Sequence, residues 1–195
     1  MEGSSEVPAV SPQLHAIESM VPQLEFSNVN VDSAIQNIAT AALHADDIAT
    51  KQKALDILGN FAGKQFHQQE FSWTIPNSQD KARQRMLAIG LSEDNAIVQA
   101  SAVNNLARGL QVSDFENADG RYHRMIVQNM TILACASSDP EVKKTAITNL
   151  NEYATREQKH LGYVGSSVVP QIQKLANDAI GAITASGKKP EEVKG

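Results

Sequence analysis

The chain has 195 residues, enough for one domain around one core. Hydrophobic residues make up 42 % of it and aromatics 5 %, so the interior must be built mainly from Ala, Leu, Ile and Val. A net charge of −5 disfavours nucleic acid as a partner, and no apolar run reaches the roughly 18 residues that a membrane span requires.

The chain opens on a polar, Pro-interrupted stretch over residues 1–10, and residues 186–195 have almost no apolar content; both are expected to be disordered tails around a single domain at 11–185. The N-terminus has neither the basic nor the apolar region of a secretory signal. The single cysteine, Cys135, cannot form an internal disulfide, and its apolar run Ile132–Ala136 predicts a buried thiol. These features predict a soluble cytoplasmic protein without cofactor or metal.

Between the tails, apolar residues recur at spacings of three and four, which predicts an all-α fold. A first helix starts with Ser11 as N-cap and Pro12 at N1, carries Leu14, Ile17, Val21 and Leu24 on one face, and should kink or divide at Pro22. A second runs from about Asp32 to the His44-Ala45-Asp46 corner, and its partner from about Asp47 to Ala62. Further helical pairs are expected at 79–91 with 94–110 and at 121–136 with 139–156, where Asp139-Pro140 is a strong start signal. A last amphipathic helix spans about 166–185, with Val169, Ile172, Ala176, Ala179 and Ile183 on a narrow stripe suited to a terminal cap.

The pairs repeat one pattern. Leu43-x-x-Asp46 leads to Ala54 and Leu58, Leu91-x-x-Asp94 to Ala102 and Leu106, and Ala136-x-x-Asp139 to Ala146 and Leu150. The aspartates step by 48 and then 45 positions, the period of helical-repeat arrays. The run Asp139-Pro140-Glu141-Val142-Lys143-Lys144-Thr145-Ala146-Ile147-Thr148-Asn149-Leu150 resembles the second helix of a HEAT repeat, and Val98–Ala107 resembles either a HEAT or an armadillo helix. The resemblance implies a short right-handed α-solenoid of about three helical pairs, with an N-terminal helix and a C-terminal capping helix. It also implies a ladder between units. The corresponding basic column reads Lys51, Gln99 and Lys143, with its middle charge missing, and Thr50 stands where Val98 and Val142 stand, so the first unit admits a register slip.

Function is less legible. The resemblance implies that the second helices line one surface and hold a partner peptide or protein there, as in an adaptor, chaperone or scaffold. Its outward positions are Lys53, Asp56 and Asn60; Ser101, Asn104, Asn105 and Arg108; and Thr145, Thr148, Asn149 and Glu152. An armadillo reading singles out Asn60, Asn105 and Asn149 as holders of a peptide backbone, whereas anchoring on Val98 and Val142 puts Asn60, Arg108 and Glu152 in that column.

The insert 63–76 carries Phe66, Phe71 and Trp73, with Phe71, Trp73 and Ile75 alternating as in an extended segment. It either forms a second partner contact or folds over a groove between repeats. Lys81, Arg83 and Arg85, with Arg121 and Arg124, are candidates for a basic patch that would bind a phosphate or nucleic acid, the alternative function. Glu157-x-x-His160 has the spacing of half a di-iron site but lacks its companions, and Asp114-x-Glu116-x-x-Asp119-Gly120 departs from a calcium loop at its fifth, sixth and closing positions. No catalytic residue is predicted.

Overall fold

The computed structural model describes residues 11–25, 30–64, 74–111, 120–155 and 168–187, and all regular structure among them is helical. Eight α-helices follow in order: α1 Pro12–Glu25, α2 Val31–Leu43, α3 Ile48–Ala62, α4 Thr74–Leu91, α5 Ala96–Arg108, α6 Arg121–Ala136, α7 Pro140–Thr155 and α8 Val169–Ser186. A 3-10 turn, Gly109–Gln111, prolongs α5. The predicted stripes are the buried ones. In α2 they are Val31, Ala34, Ile35, Ile38, Ala39 and Ala42, and in α8 Val169, Ile172, Ala176, Ala179 and Ile183.

Each pair of consecutive helices packs together, and so do helices two apart. Thus α2, α4 and α6 form one succession of neighbours and α3, α5 and α7 another, with α1 against α2 and α3 at one end and α8 against α6 and α7 at the other. The buried side chains merge into one core. Each fully buried Leu or Ile there contributes about 1.5–3 kcal/mol by leaving water.

The second helices begin with side-chain caps, which fix their register. Asp47 accepts from the Thr50 backbone N–H at 2.7 Å, Asn95 from Ile97 and Val98 at 2.9 and 3.3 Å, and Asp139 from Glu141 and Val142 at 2.8 and 3.3 Å. The repeat is therefore anchored one residue later in its first two units than Asp46 and Asp94. Counted from the caps, Thr50, Val98 and Val142 are equivalent, as are Ala54, Ala102 and Ala146, and Leu58, Leu106 and Leu150; all nine are fully buried. Thr50 keeps its place in an apolar column because its hydroxyl donates to Asp47 Oδ2 at 2.8 Å. The apparent defect in unit one is a cap that satisfies its own buried hydroxyl.

One residue beyond that column, every unit reaches forward to the next. Lys51 Nζ meets Glu93 Oε1 at 2.5 Å, just before α5. Gln99 donates to the Glu93 carbonyl at 2.5 Å and accepts from the Ser137 hydroxyl at 2.6 Å, just before α7. Lys143 donates to the Ser186 carbonyl and hydroxyl at 3.1 and 3.2 Å, at the end of α8. The middle rung lost its charge and kept its contact.

Three local expectations are corrected. Helix α1 runs unbroken through Pro22, which lies on its exposed side within the last turn. Helix α4 begins at Thr74, so Ile75 is helical rather than part of an extended alternation. Cys135 is exposed, because Leu133 and Ala134 take the inward positions of α6 and turn Ile132 and Cys135 to the outside.

Candidate protein-binding face

The cap register decides which side chains of α3, α5 and α7 face outward. Asn60, Arg108 and Glu152 stand thirteen residues after their caps, and all three are exposed. Nine residues after the caps come Asp56, half-buried, and Asn104 and Thr148, both exposed. Asn105 and Asn149 belong to the next column, where Ile57 is their equivalent; Asn105 is 2 % exposed and Asn149 half-buried. Asn60, Asn105 and Asn149 therefore do not form one column, and Asn105 is not an outward residue.

The two inner asparagines serve the packing between units. Asn105 Nδ2 donates to Asp56 Oδ1 at 3.1 Å and to the Ser101 carbonyl, one turn back, at 2.9 Å. Asn149 Nδ2 repeats this geometry, donating to Asn104 Oδ1 at 3.1 Å and to the Thr145 carbonyl at 2.9 Å. Alongside, Arg108 donates to Asn60 Oδ1 at 2.7 Å and lies 3.4 Å from Asp56. Helix α3 approaches α5 closely at this point: a Cβ on Gly59 would stand 2.3 Å from Asn105 Oδ1. Lys53 turns the other way and pairs with Glu18 of α1 at 3.6 Å.

The outward side of α3, α5 and α7 is a polar, mixed-charge strip: Asn60, Arg108 and Glu152 along one line, Asn104 and Thr148 along the next. The Asn60 and Asn104 amides are held by bonds from Arg108 and Asn149 of the neighbouring helices, which fixes their spacing. No family model matches the chain, and no curated protein does.

The candidate basic patch is largely committed elsewhere. Arg83 is buried, donating to the Ala62 carbonyl at 2.6 Å and to Asp80 at 3.0 Å, with Tyr122 below its guanidinium. Gln79 donates to the Phe61 and Lys64 carbonyls at 3.2 and 3.0 Å. Together they cap the C-terminal end of α3, and this accounts for a cation near the start of α4: it serves the negative end of the preceding helix. Arg121 lies 3.6 Å from Asp80 and over the Tyr122 ring. Lys81 binds Asp32 at the start of α2, which also accepts from Ser78 at 2.6 Å. Arg85 is exposed and Arg124 half-buried.

The carboxylates respond to these surroundings. The hydrogen bonds from Lys81 and then Ser78 hold Asp32 below the ordinary aspartate value. Burial raises Asp80, against the pull of Arg83 and Arg121. The Thr50 backbone N–H and hydroxyl lower Asp47.

Phe66, Phe71 and Trp73 lie outside the described residues, as do Glu157, His160 and residues 114–119. Among the described residues no three potential metal ligands come together, and no helix is long and apolar enough to cross a membrane. Sequence reasoning missed one surface. Leu43, Leu91 and Ala136, the opening residues of the repeat pattern, are exposed. The signal was their place at the helix ends, outside the capped register.

Proposed function

We propose that the chain is a short right-handed α-solenoid acting in the cytoplasm as a non-catalytic protein-binding module, an adaptor, chaperone or scaffold. Its partner peptide or protein would lie along the α3, α5 and α7 face. The observation that carries this reading is the periodicity of that face: equivalent helices sit side by side, and equivalent residues link them through Asn105 to Asp56 and Asn149 to Asn104. Such an array presents a long surface at little conformational cost, which suits an extended partner. The HEAT and armadillo resemblance points the same way.

Asn60, Asn104, Arg108, Thr148 and Glu152 would make the contacts, with Asn149 at their edge. The aromatic insert would supply a second contact through Phe66, Phe71 and Trp73. Nucleic-acid binding is disfavoured, since Lys81, Arg83 and Arg121 are occupied by carboxylates.

Affinity capture from the source cell with cross-linking tests the reading. The expected cross-links fall on the outward side of α3, α5 and α7, and Asn104→Glu with Thr148→Glu abolishes capture while the helical circular dichroism is unchanged. Undiminished capture by that double variant overturns the proposed face.

A further inference from the structure

The three corners where α2 turns into α3, α4 into α5 and α6 into α7 lie on one edge of the molecule. The starts of α2 and α4 are joined through Asp32 and Ser78, and those of α4 and α6 through Asp80 and Arg121. The opposite ends of these helices are therefore also adjacent, and the Lys51–Glu93 and Gln99–Ser137 bonds tie one corner to the next. On this edge stand Leu43 and Ile48 at the first corner, Leu91 and Ile97 at the second, and Ile132 at the third. They are 37–55 % exposed, and they are all of the exposed large hydrophobic residues among the described ones. An apolar residue closing the first helix and another opening the second recur in two successive units, in positions that core packing does not require.

The carboxylates dominate the charge around this ridge. Asp46, Asp47 and Asp94 are exposed and Asp139 half-buried, while Lys51 is paired with Glu93 and Lys144 with Glu141; Lys143, at the third corner, keeps its charge and is held by the Ser186 carbonyl and hydroxyl. We propose that this corner edge is a second docking surface, distinct from the α3, α5 and α7 face, and that its occupant is a cationic amphipathic helix of another protein. The apolar side of that helix packs on Leu43, Ile48, Leu91, Ile97 and Ile132. Its Lys or Arg side meets Asp46, Asp94 and the two capping aspartates, whose caps leave further lone pairs free to accept. Acidic residues flanking exposed aliphatics favour this occupant over an acidic segment or a second copy of the same acidic chain.

The test uses the full chain and a synthetic 18-residue amphipathic helix of Leu and Lys, with a Leu–Glu helix as its counterpart. Binding is followed by fluorescence anisotropy on labelled peptide. The Leu–Lys helix is expected to bind, more weakly as salt rises, and the Leu–Glu helix not to bind. Leu91→Ser with Ile97→Ser should weaken binding ~tenfold or more, since both side chains lose apolar contact. Leu43→Ser with Ile48→Ser, one corner away, should do the same, and Asp46→Asn with Asp94→Asn should flatten the salt dependence. All six positions are exposed, and unchanged circular dichroism verifies the fold. The proposal is overturned by absence of Leu–Lys binding, by equal binding of the two peptides, or by variants that bind like the parent. Sedimentation showing a dimer that Leu91→Ser with Ile97→Ser dissociates would also overturn it, because the occupant is then a second copy.

Discussion

Gln99 accepts a 2.6 Å hydrogen bond from Ser137, a neutral and buried contact at the junction where, one unit earlier, Lys51 and Glu93 meet as ions. Both bonds join a second helix to the corner that follows, so the same mechanical task is done by different chemistry. Gln99→Ala should cost about 1–3 kcal/mol, because it strands the Ser137 hydroxyl and the Glu93 carbonyl together. Lys51→Met should cost less, and less still at high salt, since its pair retains some access to water. Urea melts of both variants at two ionic strengths check this; equal salt sensitivity would count against it.

The close approach of α3 to α5 depends on the absence of a side chain at Gly59. A methyl group there meets Asn105, whose own Cβ stands only 2.8 Å away and cannot swing aside. Gly59→Ala is expected to destabilise by about 1–3 kcal/mol through overpacking. Gly120→Ala should be at least as harmful, because the residue has φ 69° and its Cβ would press on Ile172 and Val168. Gly181, which has open space around it, is the control: Gly181→Ala should stabilise α8 slightly. Thermal melts distinguish the three.

Arg83→Met removes a buried cation from Asp80 and from the end of α3. The expected loss is about 1–3 kcal/mol, because the Ala62 carbonyl loses its donor while Asp80 keeps only the more distant Arg121. Arg85→Ala, on the exposed side of the same helix, should change stability by at most ~0.5 kcal/mol. Similar losses in the two variants, read by chemical denaturation, would refute the structural role assigned to Arg83.

Acid should act in two directions. The folded-state pKa values of Asp32 and Asp47 lie below the ordinary 3.8, so folding favours their ionised forms. That stabilisation is complete above 3.8 and is lost as pH falls through the folded values. Asp80 lies above 3.8 through burial; its contribution favours the fold below 3.8 and is lost as pH rises through its folded value. Asp47→Asn preserves the cap while removing a titrating group, and with Asp32→Asn it should make the loss of stability below pH 4 shallower. An unchanged acid limb in the circular dichroism would place that loss on other groups.

Much of the helical layout was legible because it rests on local rules. Asp139-Pro140 starts α7 as its residues require, and the stripe of α8 is the one that periodicity marks. The repeat register was harder, since Asp46 and Asp47 are adjacent and only the bonds from Thr50 identify the capping one. Thr50 is equivalent to Val98 whichever aspartate is chosen, and it is the burial of Asn105 and its bond to Asp56 that place it at the seam between helices instead of on the outer face. Burial of a single polar residue depends on its distance from a neighbouring helix, here on the glycine at position 59, which no spacing within one helix reveals. The basic patch dissolved for the same reason: the carboxylates that neutralise Lys81 and Arg121 come from other helices.

The outward turn of α6 at Ile132 and Cys135 supplies a chemical handle. Cys135 is the only thiol in the chain and is exposed, on the same side of α6 as Ile132 and one turn from it. A maleimide dye or photo-crosslinker can be attached there to the natural sequence, without mutagenesis, where it would report occupancy of the corner edge while leaving the opposite ends of the helices untouched.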